Sequence, residues 1–238
     1  MVKGQGKLPW LPWSWPWCTL DGRPMRPLEL FVSRKFSYGY LAIIWAIWLG
    51  HGVGPLDNCA ELGGGLSCTG AIWPTDIYRS PLRYISALLI GPIFHNSSEH
   101  ILFVTGTFFW LVQSFEVREG AVRTLILFLV CTAIAATLVS IVMVTAGHFW
   151  PDDPLLASGL SRAWMGGSGG LFGIIGASSH QSRRRWLVPV IAVTFELWNH
   201  FSHGTSIFTS SGHMVALATG FLIWGWWTSN LRKSIDSS

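Results

Sequence analysis

The sequence predicts an all-α, polytopic membrane protein with six transmembrane helices and both termini in the cytoplasm. Three observations predict this fold class. Half of the 238 residues are hydrophobic, only 12% are charged and the mean hydropathy is +0.42, whereas soluble domains carry about 25% charged residues. Apolar runs recur along the chain, and basic residues gather at alternate ends of these runs. Finally, the chain contains 15 Trp, a residue that favours the membrane–water interface.

Six apolar runs are candidates for the spans. The first, fourth and fifth are shorter than the ~20 residues that normally cross the hydrocarbon core, so we expect neighbouring helices or a water-filled cavity to shield them. A soluble bundle of buried helices is the alternative, and the absence of any charge from 124 to 146 disfavours it. The runs cover about Phe36–Gly50, His95–Phe115, Val122–Ala146, Ser168–His180, Trp186–Trp198 and His213–Thr228.

The basic residues predict the orientation and the domain boundaries. If all six runs span, thirteen of the sixteen Lys and Arg residues lie on one side, which the positive-inside rule makes cytoplasmic. We expect a Trp- and Pro-rich cytoplasmic tail over 1–35, either interfacial or disordered, a membrane domain over 36–230 and a cytoplasmic C-terminal tail over 231–238. The basic residues form no surface patch, so we expect a multi-pass protein of the cell membrane, with the lipid bilayer and not nucleic acid as its partner.

A glycine-rich segment opens the fourth run. Six glycines fall between 166 and 176, a composition that disfavours a helix in water but lets helices approach closely in a membrane. Gly169 and Gly173 are four residues apart and share one helix face. The last run offers a matching face of small residues, so we expect the two spans to pack backbone to backbone. That matching face consists of Gly212, Ala216 and Gly220.

Ser168 and His213 each begin a span beside these small residues, toward the non-cytoplasmic side. On closely packed helices they can form a nucleophile–base pair, because a neutral imidazole can take the proton of a hydroxyl. Phe172 lies one turn below Ser168, where it could stack against the imidazole of His213. Without such chemistry, the Ser would bond its own helix backbone and the His a neighbouring helix.

The second run begins with several titratable side chains. A His donor close to the nucleophile could stabilise a tetrahedral oxyanion. Zinc is the competing interpretation, since His95, Glu99 and His100 approach the H-x-x-E-H pattern. Three residues rather than two separate His95 from Glu99, however, and no H-E-x-x-H occurs. We therefore expect no metal and no cofactor. His200 and His203 are predicted to be surface residues of the loop before the last span.

The four cysteines are distributed over three regions of the chain. Cys131 lies inside an apolar run and is expected to be a buried small hydrophobe. Cys59 and Cys68 share one polar loop, where they could form a disulfide if the loop faces an oxidising space or remain free thiols. Their separation, without a C-x-x-C, does not indicate a zinc site.

Three motifs, in this order, resemble those of the rhomboid family of intramembrane serine proteases. They are H-x-x-x-x-H-I-L-F from His95 to Phe103, G-x-S-G around Ser168, and H-x-x-small-x-x-x-G from His213 to Gly220. A supporting E-x-R-x-G pattern follows the second run, and the resemblance covers about residues 36–230. It implies the six-helix core that the charge pattern predicts. The supporting pattern is formed by Glu116, Arg118 and Gly120.

The resemblance implies a function and a set of roles. The substrates would be single-span membrane proteins, cleaved near the outer boundary of the membrane. Ser168 would be the nucleophile and His213 the general base and then acid, a dyad without a third acid. The oxyanion hole would be formed at His100, Ser168 and Gly167. Supporting positions would be Phe172, Gly166, Gly169 and His95.

One departure from the family pattern bears on activity. The family usually has an Asn donor four residues after the second motif His, where this chain has Val104. Losing one oxyanion donor costs on the order of 2–4 kcal/mol of transition-state stabilisation, unless Asn96 or water replaces it. A catalytically weak or silent rhomboid-like protein that binds membrane clients is therefore the alternative function, although Ser168 and His213 are intact. A transporter would need ionisable residues along its spans, and the third span has no charged residue after Arg123. The sequence leaves the oligomeric state open.

Overall fold

The computed structural model describes residues 11–51, 68, 70–95, 97–161 and 163–236. These residues fold into helices, and within them no β-strand occurs, only two isolated β-bridges. Asn96 and Cys59, which the sequence singled out, lie outside the described residues; Cys68 is disulfide-bonded. The helices are α1 Pro27–Ser33, α2 Lys35–His51, α3 Asp76–Arg79, α4 Pro81–Ile90, α5 Ser98–Glu119, α6 Ala121–Phe149, α7 Pro154–Leu160, α8 Ser168–Ser178, α9 Leu187–His203 and α10 Ile207–Asp236.

Three of these helices, α5, α6 and α10, are long and apolar enough to cross a membrane. They correspond to the second, third and sixth apolar runs. Helices α2 and α9 have 17 residues each and α8 has 11. At about 1.5 Å of rise per residue, α8 is roughly 16 Å long, about half of a ~30 Å hydrocarbon core. The short helix therefore depends on its neighbours to shield its ends from lipid.

Helix α8 is the centre of the bundle, and every one of its residues is buried. It packs on α10, α6 and α9. A Cβ at Gly220 of α10 would overlap the carbonyl of Gly173, and one at Gly176 would overlap the carbonyl of Leu217. Glycine at these positions thus allows the two backbones to touch, as the small-residue faces predicted. At the other end of the contact, the indole of Trp164 lies against both Gly169 and Gly212.

Helix α5 joins the N-terminal tail to the bundle. It contains a π-helical stretch, Phe108–Val112, in its middle. Near its C-terminal end, Gln113 Nε2 donates to the carbonyl of Ser14 at 2.8 Å, and Arg118 Nη1 donates to that of Pro12 at 2.6 Å. The hydroxyl of Ser114 accepts from the backbone N–H of Ser14 at 2.7 Å. The part of the tail around Ser14 therefore packs against α5 through defined hydrogen bonds.

Two helix boundaries differ from the predicted ones. Helix α10 begins at Ile207, because Ser206 caps it by accepting from the N–H of Thr209 at 3.2 Å. His213 therefore lies in the second turn and not at the start of its helix, as the hydropathy pattern suggested. Helix α9 continues to His203 and ends at Gly204, which adopts φ of +64°. The prediction that His200 and His203 lie in a loop is wrong, because both belong to the last turns of α9.

Candidate active site

Ser168 and His213 lie within hydrogen-bonding distance at one end of the bundle. The Oγ atom of Ser168 is 2.9 Å from Nε2 of His213. Both residues are buried, with exposures of 1% and 6%. Their helices, α8 and α10, make the most extensive helix–helix contact in the described part of the chain. The pair is thus fixed by the backbone packing of two glycine-rich helices.

The segment before α8 is held by backbone pairing to residues that lie between α2 and α5. Ile72 and Trp164 exchange two backbone hydrogen bonds of 2.8 Å, and the N–H of Gly166 donates to the carbonyl of Gly91 at 3.0 Å. Gly166 has φ of +95°, a conformation that residues with a Cβ rarely adopt. A Cβ there would also overlap the ring of His100. These contacts determine where α8 begins.

Ser168 is the first residue of α8. The first N–H groups of a helix lack an intrahelical acceptor, and the helix dipole places partial positive charge there. Gly167 occupies the N-cap and has no side chain that could accept from these groups. A Cβ at Gly167 would overlap the hydroxyl of Tyr40. The helix start therefore presents backbone donors beside the Oγ atom, where a negatively charged oxygen would be stabilised.

Phe172 fixes the plane of the His213 ring. The two rings are stacked, with centroids 4.2 Å apart and an interplanar angle of 5°. Phe172 lies one turn after Ser168 on α8 and is itself buried at 1% exposure. The imidazole can consequently rotate little without losing this contact.

Glu196 is the residue at this site that sequence reasoning missed. Its Oε2 atom lies 2.9 Å from Nδ1 of His213, on the side of the ring opposite Ser168. The carboxylate comes from α9 and is buried, with an exposure of 3%. The signal was present in the sequence, because an ionisable residue inside an apolar run invites a functional hypothesis.

His100 and His95 lie beside the start of α8. His100 is in the first turn of α5, whose N-cap Ser97 accepts from its backbone N–H at 3.2 Å. The His100 ring lies over Gly166 and lines the same cavity as Ser168 and His213. The centroid of the His95 ring is 5.0 Å away from that of His100. Burial lowers the pKa of His95 to about 4, so this imidazole is neutral at pH 7.

A cavity of about 580 Å³ lies beside the Ser168–His213 pair. Ser168, His213, Glu196 and His100 all contribute to its wall, together with residues of α5, α9, α10 and the segment before α8. Ligand-binding clefts commonly have volumes of about 300–1,000 Å³. The cavity therefore offers room for a short stretch of polypeptide, or for water, beside the Ser168 hydroxyl.

The zinc interpretation finds no matching cluster in the part of the chain that the structure describes. There, no three His, Cys, Asp or Glu side chains are grouped so that they could hold a metal ion. His95 and His100 are neighbours, but Glu99, the third candidate ligand, does not complete a site with them. The arrangement of Ser168, His213 and Glu196 instead has the components of nucleophilic catalysis: a hydroxyl, an imidazole and a carboxylate in sequence.

Comparison with known families gives one match. A family model described as the Rhomboid domain matches residues 82–230, which is more than half of the chain. The matched segment contains Ser168, His213, Glu196 and His100. No curated protein matches the sequence.

Proposed function

The chain belongs to the rhomboid family, and from this premise we propose that it is an intramembrane serine endopeptidase that cleaves membrane-spanning segments of other proteins. The observation that carries the proposal is the 2.9 Å contact between Ser168 Oγ and His213 Nε2 in a cavity of about 580 Å³. The backbone donors at the start of α8 support it, because acyl transfer needs donors beside the attacked carbonyl.

The proposed reaction has two steps. His213 takes the proton of the Ser168 hydroxyl as Oγ attacks the scissile carbonyl, and then gives that proton to the leaving amine. In the second step His213 deprotonates a water molecule that enters through the cavity, and the water oxygen attacks the ester carbonyl. The bond to Oγ then breaks, the carboxyl product leaves and His213 returns the proton to Ser168. The negative oxygen of each tetrahedral intermediate is stabilised by backbone N–H groups at Ser168 and Gly167 and by the side chain of His100. Gly166, Gly169, Phe172 and His95 hold these groups in place.

The proposal includes a topology. The membrane domain, 36–230, crosses the cell membrane six times, as α2, α5, α6, α8, α9 and α10. The tails, 1–35 and 231–238, lie in the cytoplasm, whereas Ser168 and His213 lie near the outer boundary of the membrane. The complete burial of α8 supports this, because a short span is tolerated where protein covers it. Substrates are single-span membrane proteins, which reach Ser168 from the lipid.

Cleavage of a tagged single-span substrate in proteoliposomes tests the proposal. Wild-type protein should release two fragments, and Ser168→Ala should release none while keeping the same thermal stability, since the hydroxyl is a small part of the packing. His213→Ala should be equally inactive. Persistent cleavage by folded Ser168→Ala would identify another nucleophile.

A second function, client binding without cleavage, is favoured by Val104. This residue is completely buried and cannot donate a hydrogen bond where the family usually has Asn. This function would be supported over proteolysis if the wild-type protein cleaves no substrate and a single-span protein with an uncleaved membrane segment copurifies with it.

A further inference from the structure

Glu196 has an unusual position for a carboxylate. It is the only acidic residue of α9, where it follows Phe195 and precedes Leu197 in an apolar stretch of the sequence, and its side chain is buried at 3% exposure. Burying an ionised carboxylate is costly unless a partner compensates it, and the cost is larger in a membrane. The partner in this structure is Nδ1 of His213, 2.9 Å from Oε2. Because burying this carboxylate costs free energy and it lies beside the base of the proposed reaction, Glu196 is a candidate for a function in that reaction.

The geometry determines which tautomer of His213 is present. A neutral imidazole carries one proton, and the nitrogen without it is an acceptor. An ionised Glu196 can only accept, so the proton resides on Nδ1 and is donated to Oε2. Nε2, 2.9 Å from Ser168 Oγ, then has its lone pair directed at the hydroxyl. The opposite tautomer would leave Nε2 unable to take the Ser168 proton.

We infer that Glu196 is a positioning residue that orients His213 and stabilises the imidazolium formed during the reaction, so that the site operates as a Ser–His–Glu triad. The inference rests on the proposed protease function and deepens it. Glu196 acts through His213 and does not touch the substrate. Phe172 fixes the plane of the imidazole by stacking at 4.2 Å, and Glu196 fixes its rotation within that plane.

The electrostatic surroundings leave this role to Glu196. The other titratable side chains near the pair are His100 on α5, which lines the same cavity as His213, and His200 on α9, which lines a neighbouring pocket with Glu196. Glu99 and His203 line the same cavity. Of these groups, Glu196 alone is a carboxylate within hydrogen-bonding distance of the His213 ring. It is therefore the group that can balance the positive charge of the imidazolium.

A purely structural role makes a different prediction. Glu196 also ties α9 to α10, and polar pairs between helices can stabilise a membrane bundle without any catalytic effect. Glu196→Gln separates the two roles, because Gln has nearly the same shape and can still hydrogen-bond to Nδ1 but carries no charge. A structural tie tolerates this change, whereas an imidazolium loses its counter-charge.

The test compares wild type with Glu196→Gln, Glu196→Asp and Glu196→Ala in cleavage of the single-span substrate. For Glu196→Gln we expect kcat to fall by on the order of 10⁴-fold with KM little changed, as when the acid of a triad is neutralised. The acid limb of its pH–rate profile should move to lower pH, because the imidazolium is no longer stabilised by a negative charge. Glu196→Asp should recover part of kcat, since the charge is retained.

Glu116→Gln is the matched control. Glu116 is also a buried carboxylate, at 1% exposure, but it accepts hydrogen bonds from the backbone and hydroxyl of Ser37 at the other end of α5. This variant should lose thermal stability while the folded protein keeps the wild-type kcat and pH profile. It therefore shows what loss of a structural carboxylate looks like in the same assays.

Two outcomes would overturn the inference, and they are distinguishable. If Glu196→Gln keeps the wild-type kcat and pH profile while Glu196→Ala melts early, Glu196 is a structural tie only. If wild-type protein cleaves nothing and its Ser168 reacts with no serine-directed probe, the proposed function itself is wrong and no triad exists.

Discussion

Val104 separates this site from the family pattern at the scale of a single residue. It lies one helical turn after His100 on α5 and is completely buried. At this position a side-chain amide could add a donor to those at the start of α8, whereas an isopropyl group adds none. In the proposed mechanism, stabilisation of the oxyanion consequently depends on backbone groups and on His100.

Replacing this side chain tests the proposed oxyanion hole. Val104→Asn should preserve kcat or raise it by up to about tenfold, because one more donor reaches the developing charge. The variant should also melt somewhat earlier, since a buried amide is incompletely paired in the free enzyme. Initial-rate kinetics and a melting curve in the same detergent measure both effects. A folded Val104→Asn without activity would place the oxyanion hole elsewhere.

How far single residues could be predicted depends on whether a local pattern marked them. Ser168, His213 and Phe172 stood out because they occur at fixed spacings beside glycines, and the structure brings these three together. Glu196 has no motif around it. Its relation to His213 depends on how α9 rotates against α10, which no spacing within either helix specifies.

At the scale of secondary-structure elements, the most extensive contact in the described part of the chain is the one between α8 and α10. Both helices use glycine where their backbones touch, and a Cβ at Gly220 would overlap the carbonyl of Gly173. The hydrogen bond between Ser168 and His213 is a consequence of this approach, because side chains on more distant helices would not meet. The packing of these two helices therefore determines the geometry of the site.

Adding one methyl group at this contact should separate the helices. Gly220→Ala should lower the stability by about 1–3 kcal/mol, since the Cβ overlaps the carbonyl of Gly173 and the backbones must shift. Thermal unfolding in detergent measures the loss. Gly39→Ala is the matched control, because Gly39 lies in α2 with nothing within 4 Å of its Cβ position. An unchanged melting temperature for Gly220→Ala would show that the contact is looser than described.

The sequence predicts that these helices exist more accurately than it predicts the residues at which they begin and end. Each of the six apolar runs coincides with a helix, because hydropathy reports burial along a helix. The start of α10 was missed by six residues, since a Ser cap and not hydropathy determines it. The extension of α9 to His203 was missed because polar residues such as Asn199 face the cavity and interrupt the apolar pattern.

At the scale of the whole molecule, the account depends on which side of the membrane each end of the bundle faces. Ser168, His213 and His100 share one end, whereas Arg118 lies at the C-terminal end of α5, toward the other. The charge pattern predicts that the second end is cytoplasmic. The positions of Lys and Arg along the sequence are enough to predict this arrangement, because they follow the positive-inside rule and do not depend on how the helices pack.

Site-directed labelling of cysteines tests the orientation. In a background without native cysteines, Asp152→Cys, in the exposed turn between α6 and α7, should react with an impermeant maleimide in intact cells. Glu29→Cys, exposed on α1, should react only after the membrane is permeabilised. The reverse pattern would place the dyad on the cytoplasmic side.

The most direct test of the central claim is reaction of the purified, folded protein with a fluorophosphonate probe, followed by mass spectrometry of the labelled peptide. The account predicts a single modified residue, Ser168, and loss of labelling in both Ser168→Ala and His213→Ala, because the hydroxyl is a nucleophile only when its base is present. Labelling that persists in folded Ser168→Ala, or folded wild-type protein that is never labelled, would contradict it.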